Sequence, residues 1–327
     1  MVRLKGLELP EVVQSPMANC TDLPFRLIAR SQGMRFAFLE MISAEALLRN
    51  NAETLGMMET APEDQPVGAQ LVGCDPGAMG EAAARIEELG FALIDLNLGC
   101  PVPKVVGKGG GSQLLKEPGT ARHIFTAVVQ SIKRIPVTVK MRLGYSDPSG
   151  EEAVQIARIA EACGVDALAI HGRTREQGYT GNANYEAIGR VKAAVSIPVF
   201  GNGDVVDGSS ALRLKQISGC DGIMLGRGAL GNPWIYRQIE SALAGEPPPP
   251  SPDVLARKAI VLRHIALVCE RQGQPVGPLR RIISWYFKDT PGVKSFRDTI
   301  NRAQTVEEMR AVLDAFIPDE APHPAVT

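Results

Sequence analysis

Between Val12 and roughly Leu243, eight short apolar runs alternate with longer amphipathic segments. The runs are Val12–Met17, Phe36–Leu39, Gly68–Val72, Leu93–Leu96, Val137–Met141, Ala167–His171, Val199–Gly201 and Gly222–Leu225. Each is followed by polar or glycine-rich residues, which is how a strand buried on both faces reads. The stretches between them repeat apolar residues at helical spacing, most clearly at Glu81–Leu89, Ala121–Ile132 and Glu152–Cys163. Eight such units predict an α/β fold of the (β/α)8 TIM-barrel type, with a doubly wound sheet as the alternative. The second unit is the least regular, because Met41–Asp64 has poor periodicity.

A proline-rich stretch, Pro247–Pro252, then interrupts the chain and makes a stiff linker. Beyond it only helical patterns remain: Val254–Gln272, Leu279–Phe287, Ser295–Asn301 and Val306–Phe316. The expected organisation is a barrel over 1–246, a linker over 247–252, a small all-helical C-terminal domain over 253–317 and a flexible tail over 318–327.

Composition sets limits on function. The formal net charge is −1, so any nucleic-acid surface must be local. No stretch is apolar enough to span a membrane and no secretory leader is recognisable, so a cytoplasmic location is expected. Six scattered cysteines without a CxxC pair predict neither a zinc site nor a disulfide framework; no metal is expected.

In a β/α barrel the site lies at the C-terminal ends of the strands. The residues there are Ser15-Pro16-Met17, Gln70, Asn97 with Cys100, Lys140 with Arg142, His171 with Arg173, Asn202-Gly203-Asp204, and Gly226-Arg227. Core packing alone does not gather polar groups this way. The glycine loops after strands seven and eight, with Arg227, predict a phosphate site and hence a phosphorylated cofactor. Lys140 ends an apolar strand, where an amine is costly unless it meets an anion or a polar ring. His171 shares its rim with Lys140 and Arg142, whereas His123, His264 and His323 lack such company and read as structural. Cys100 opens a loop carrying Gly107, Gly109, Gly110 and Gly111 with Lys104 and Lys108, the composition of a pliable cationic lid. A thiol beneath such a loop can serve as nucleophile or acid.

These residues carry a resemblance. SPMANCTDLPFR from Ser15, QLVGCDP from Gln70, DLNLGCPVPKVVGKGGGSQLL from Asp95, VKMRLG from Val139, HGRTREQGYTG from His171, GNGDV from Gly201 and CDGIMLGRGALGNPWIY from Cys220 occur in that order. The set resembles the tRNA-dihydrouridine synthase family, in its bacterial B/C-type branch. The resemblance implies FMN at the barrel mouth, re-reduced by NADPH or NADH, with a hydride passing to C6 of a tRNA uracil and a proton from Cys100 to C5. It implies flavin contacts at Pro16, Met17, Gln70, Lys140, His171, Asn202, Gly203, Asp204, Gly226 and Arg227. It implies a uracil pocket at Asn97, Arg142, Arg173 and Tyr179. Lys104, Lys108, Arg280 and Arg281 are the candidate tRNA contacts; the segment from Arg271 to Arg302 carries seven basic residues and two acids, Asp289 and Asp298. No DNA partner is expected. Two other readings are an FMN-dependent dehydrogenase or reductase of a free pyrimidine, and a non-catalytic RNA-binding barrel.

Overall fold

The computed structural model describes residues 1–288 and 292–317. The eight apolar runs form strands Val12–Gln14, Ala37–Phe38, Val67–Val72, Leu93–Leu98, Val137–Arg142, Ala167–His171, Val199–Asn202 and Gly222–Leu225. They pair in parallel in chain order, and the eighth returns to the first through Ile223↔Val12 and Leu225↔Gln14. The first and second strands meet through Gln14 N–H donating to the Phe36 carbonyl at 2.9 Å, so the barrel is nearly closed. The irregular second unit divides its pairing. Ile42–Ser43 joins the third strand separately, and the stretch of poor periodicity folds as two short helices, Ala44–Leu48 and Ala52–Met57.

Alternation along the strands sets the chemistry of the interior. Ile94, Leu96 and Leu98 pack outward against the helices, as do Val137, Val139 and Met141. The inward set is apolar at the N-terminal end, where Phe38, Leu93, Ala167, Phe200 and Met224 form a separate cluster. It turns polar toward the C-terminal end, through Asp95, Asn97, Thr138, Lys140, Arg142 and His171. A hairpin of strands Val2–Leu4 and Leu7–Leu9 plugs the apolar end, burying Val2, Leu4 and Leu9 in that cluster. Its turn puts Lys5 and Gly6 at φ of 38° and 82°, the sign pair of a two-residue hairpin turn. Three-residue strands are too short to show a period, which is why the sequence pattern did not reveal them.

Beyond residue 252, four helices stand among the described residues: Val254–Gln272, Val276–Tyr286, Val293–Arg302 and Val306–Phe316. Their apolar stripes meet in a core of their own around Val261, Ile265, Ile283, Phe287, Phe296 and Leu313. Phe296 and Phe316 stack at 4.3 Å between ring centroids. The bundle rests on the barrel rim. Arg271 pairs with Glu59 at 3.3 Å, Arg281 donates to the Asn19 carbonyl at 2.6 Å, and Lys288 reaches the Leu230 carbonyl at 3.2 Å. Gly231 lies against the Trp285 backbone: at φ +73°, a Cβ there would lie 2.1 Å from the Trp285 carbonyl oxygen. Asp289 and the tail expected over 318–327 lie outside the described residues. Among the described residues no helix is long and apolar enough to cross a membrane.

Candidate active site

Strand register brings the polar residues into rows across the barrel mouth. Gln70 pairs with Asp95 and Asp95 with Thr138; Asn97 pairs with Lys140; Arg142 pairs with His171, and His171 with Asn202. The lower row is bonded side chain to side chain. Asp95, fully buried, accepts from Gln70 Nε2 and Thr138 Oγ1, each at 2.6 Å. Gln70 Oε1 accepts from Asn97 Nδ2 at 2.8 Å, and Asn97 Oδ1 accepts from the Gly99 and Cys100 backbone N–H groups at 3.0 and 2.9 Å. Asn97 therefore keeps one N–H for a ligand, and its oxygen is occupied.

Above this row lies a group of cations. Burial lowers the Lys140 ammonium from 10.5 to about 8, against the Asp95 carboxylate, which raises it; Arg142 lowers it further. His171 is held neutral, pushed down to about 2 by burial first and then by the charges of Lys140, Arg142, Arg173 and Arg227. Arg142 is a clamp: its Nε donates to the Gly99 carbonyl at 2.9 Å, and its Nη1 to the carbonyls of Thr174 at 2.8 Å and Gly178 at 2.9 Å. Arg173 ties the 172–183 loop together through Thr180, Gly181 and Asp204, yet its Nη1 is buried without a partner among the described residues. Asp204 accepts from Arg173 and from the Ala183 N–H through one carboxylate oxygen, Oδ2, both at 2.8 Å.

The loops after strands seven and eight present donors. The backbone N–H groups of Gly203, Asp204, Gly226 and Arg227 have no acceptor among the described residues. Gly203 sits at φ +135°, and a Cβ there would meet Ala183 at 2.7 Å and the His171 ring at 3.5 Å, so only glycine lets the loop lie this low. Asn202 braces it by donating to the Met224 carbonyl at 2.6 Å. The exposed Tyr179 ring lies over the mouth, 4.2 Å from the Arg227 guanidinium and 5.7 Å from that of Arg142. Beside the eighth strand, Pro16 and Met17 are half-buried in a turn that Thr21 closes by accepting from the Met17 N–H.

Cys100 is half-buried at the start of its loop. The loop is more ordered than its glycines predict. Residues Pro103–Val106 form a helical turn, Ser112 N–H donates to the Cys100 carbonyl at 3.0 Å, and the Cys74 thiol donates to the Lys108 carbonyl at 2.9 Å. Lys104 and Lys108 point their charges to solvent from this loop. Arg280 and Arg281 do not share one environment. Arg280 is half-buried and donates to the Ala303 carbonyl that ends the Val293–Arg302 helix. Arg281 is exposed over Trp285, at 5.5 Å, beside the cleft that separates the helical domain from the barrel. That cleft is about 380 Å³ and is lined by Asp22, Glu40 and Glu59 as well as Arg271 and Arg281.

Three residues of this arrangement were not among the candidate site residues: Asp95, Thr138 and Cys74. Asp95 had a signal, a lone acid inside an apolar strand, which is costly unless it is bonded. Thr138 and Cys74 had none, since both read as ordinary strand and loop residues.

A sequence profile described as Dihydrouridine synthase (Dus) matches residues 13–321. A protein of Pseudomonas aeruginosa named tRNA-dihydrouridine synthase B is 38% identical over 322 residues, covering 97% of this chain and 96% of its own length. A protein of the same name in Xanthomonas axonopodis pv. citri is 39% identical, covering 93% and 91%. A probable tRNA-dihydrouridine synthase of Rickettsia prowazekii is 40% identical, covering 92% and 93%. Among solved structures, a 2-naphthoyl-CoA reductase complex superposes with a TM-score of 0.55 at 10% identity, over 75% of this chain and 52% of that one. Histamine dehydrogenase from Rhizobium gives 0.54 at 12% identity, over 79% and 49%. The chain thus spans about half the length of these two structures, and the likeness to them is one of fold.

Proposed function

The chain belongs to the dihydrouridine synthase family, and from that premise we propose that it reduces a uridine in tRNA to 5,6-dihydrouridine with FMN held in the barrel mouth. The observation that carries this reading is the rim itself: unpaired backbone donors and cations facing one space, with a thiol beside it. The N–H groups of Gly203, Asp204, Gly226 and Arg227, with the Arg227 guanidinium, suit the cofactor phosphate. Asn202 braces that loop. Pro16, Met17 and Gln70 line the ring space, and Lys140 offers a cation to the pyrimidine edge of the ring while neutral His171 offers a hydrogen bond without adding charge. The bound flavin supplies hydride chemistry, from NADPH or NADH to uracil C6.

Cys100 then gives its proton to C5. Asn97 turns its remaining N–H to a uracil carbonyl, and Arg142 and Arg173 keep the pocket cationic and its loop folded. Tyr179 covers the entrance. The division into a catalytic barrel over 1–246, a linker over 247–252 and a tRNA-binding domain over 253–317 belongs to the same proposal, as do tRNA contacts by Lys104, Lys108, Arg280 and Arg281. A tRNA substrate places the protein in the cytoplasm.

The test is anaerobic. The purified protein, loaded with FMN and reduced by NADPH, is mixed with tRNA lacking dihydrouridine, or with uridine, uracil or orotate. Reoxidation of the flavin by the tRNA alone is expected. Reoxidation by the free pyrimidines alone would replace the proposal with the small-substrate reading, and a protein left colourless after incubation with excess FMN would reject both.

A further inference from the structure

We propose that Asp95 is a positioning residue for Cys100: as a fixed acceptor below the barrel mouth it sets the direction of the Gln70 and Asn97 amides, and through them it holds the backbone on which the thiol stands. The inference rests on the role proposed for Cys100.

The direction of this chain of bonds is settled at both ends. The Gly99 and Cys100 N–H groups can only donate, so Asn97 must present Oδ1 to them. Its Nδ2 then faces Gln70 and requires Oε1 there. The Gln70 Nε2 is left facing Asp95, which as a carboxylate only accepts. Thr138 occupies the other carboxylate oxygen, so Asp95 itself cannot turn away. Burial raises this carboxyl to about 6, which leaves it an ionised acceptor at neutral pH.

Without the acceptor, Gln70 gains nothing from this orientation. Rotating its amide by half a turn would set Nε2 against Asn97 Nδ2, donor against donor, and Asn97 would have to release the Gly99 and Cys100 amides or turn its own donors on them. Asp95 touches neither substrate nor cofactor in this scheme. It acts through two intermediaries on the segment that carries the thiol.

Three variants test it, read first by amide hydrogen exchange on the cofactor-free protein. Asp95→Leu removes the acceptor, Gln70→Met cuts the chain one link further on, and Asp95→Asn keeps an oxygen that Gln70 can still donate to. Exchange at Gly99 and Cys100 should accelerate by about tenfold or more in Asp95→Leu and in Gln70→Met, with the rest of the barrel unchanged, and stay near wild type in Asp95→Asn. In the FMN-loaded protein, Asp95→Leu should slow flavin reoxidation by tRNA by a similar factor relative to Asp95→Asn, which shares the loss of the charge beside Lys140, and lower kcat rather than raise KM. If Asp95→Leu does not fold, Gln70→Met and Asp95→Asn decide alone. Wild-type protection of Gly99 and Cys100 in the folded relay-cutting variants would overturn the proposal, as would equal loss in Asp95→Asn. The exchange readout does not depend on what the thiol does, so a failure of Cys100 as proton donor would leave it intact and be seen separately.

Discussion

A thiol can deliver a proton to one face of a bound base only if its backbone is held while its side chain stays reachable. Cys100 meets both conditions, half-buried and tied through its N–H to Asn97 and through its carbonyl to Ser112. Cys100→Ala should therefore bind tRNA and accept electrons from NADPH normally, while uridine reduction falls by about 10²–10⁴. Equal loss of flavin reduction, followed by absorbance in stopped flow, would reassign the residue. Lys140 gives a prediction in pH. Its ammonium is the form present below about 8, and the bare amine takes over above it. FMN affinity should thus fall as pH rises through and beyond 8, because the cation facing the ring is lost. Lys140→Met should bind roughly tenfold more weakly at pH 7 and show a flat profile, by fluorescence titration. The identity of these residues was legible because each ends an apolar strand on a polar note. Their bonding was not. Nothing in the sequence says that Arg142 and Arg173 spend most of their donors on backbone carbonyls, since those partners sit in the 172–183 loop, which lies one strand away from Arg142 and must fold back on Arg173.

Among elements, the strand–helix units were readable wherever burial on both faces made an unbroken apolar run. They were blurred where pairing is divided, as between Ala37–Phe38 and Ile42–Ser43. The glycine-rich loop shows a different kind of gap. Its glycines predict freedom, but the Cys74 thiol and the Pro103–Val106 turn restrain it. The helix Val276–Tyr286 separates two arginines that look equivalent in sequence. Arg280 ends on the Ala303 carbonyl, so Arg280→Ala should destabilise the helical domain by about 1 kcal/mol, measured by urea denaturation. Arg281 is exposed, lies over the Trp285 ring and donates to the neutral Asn19 carbonyl, and among the described residues no acid pairs with it, so its charge remains available to a phosphate. Arg281→Ala should weaken tRNA binding and flatten its salt dependence by about one unit of slope or slightly less, with flavin reduction unaffected. An unaltered slope and affinity in the double Arg280→Ala, Arg281→Ala variant would remove this helix from the RNA surface.

At the scale of the whole molecule, the barrel and the helical bundle keep separate cores and meet through contacts such as the Arg271–Glu59 pair and the bond from Arg281 to the Asn19 carbonyl. Gly231 packs against the Trp285 backbone with no room for a side chain. Gly231→Ala would drive a methyl group into the Trp285 carbonyl and should cost roughly 1–3 kcal/mol, separating the two units and weakening tRNA binding more than FMN binding. A tRNA uridine must leave its stack to reach a barrel mouth, and contacts elsewhere on the RNA offset that cost, the role proposed above for the helical bundle. The most direct test of uridine reduction in tRNA is mass mapping of dihydrouridine in tRNA from cells with and without this chain. Loss of dihydrouridine at a defined position, restored by the wild-type chain and not by Cys100→Ala, is the predicted result; an unchanged dihydrouridine map in cells lacking the chain would contradict it.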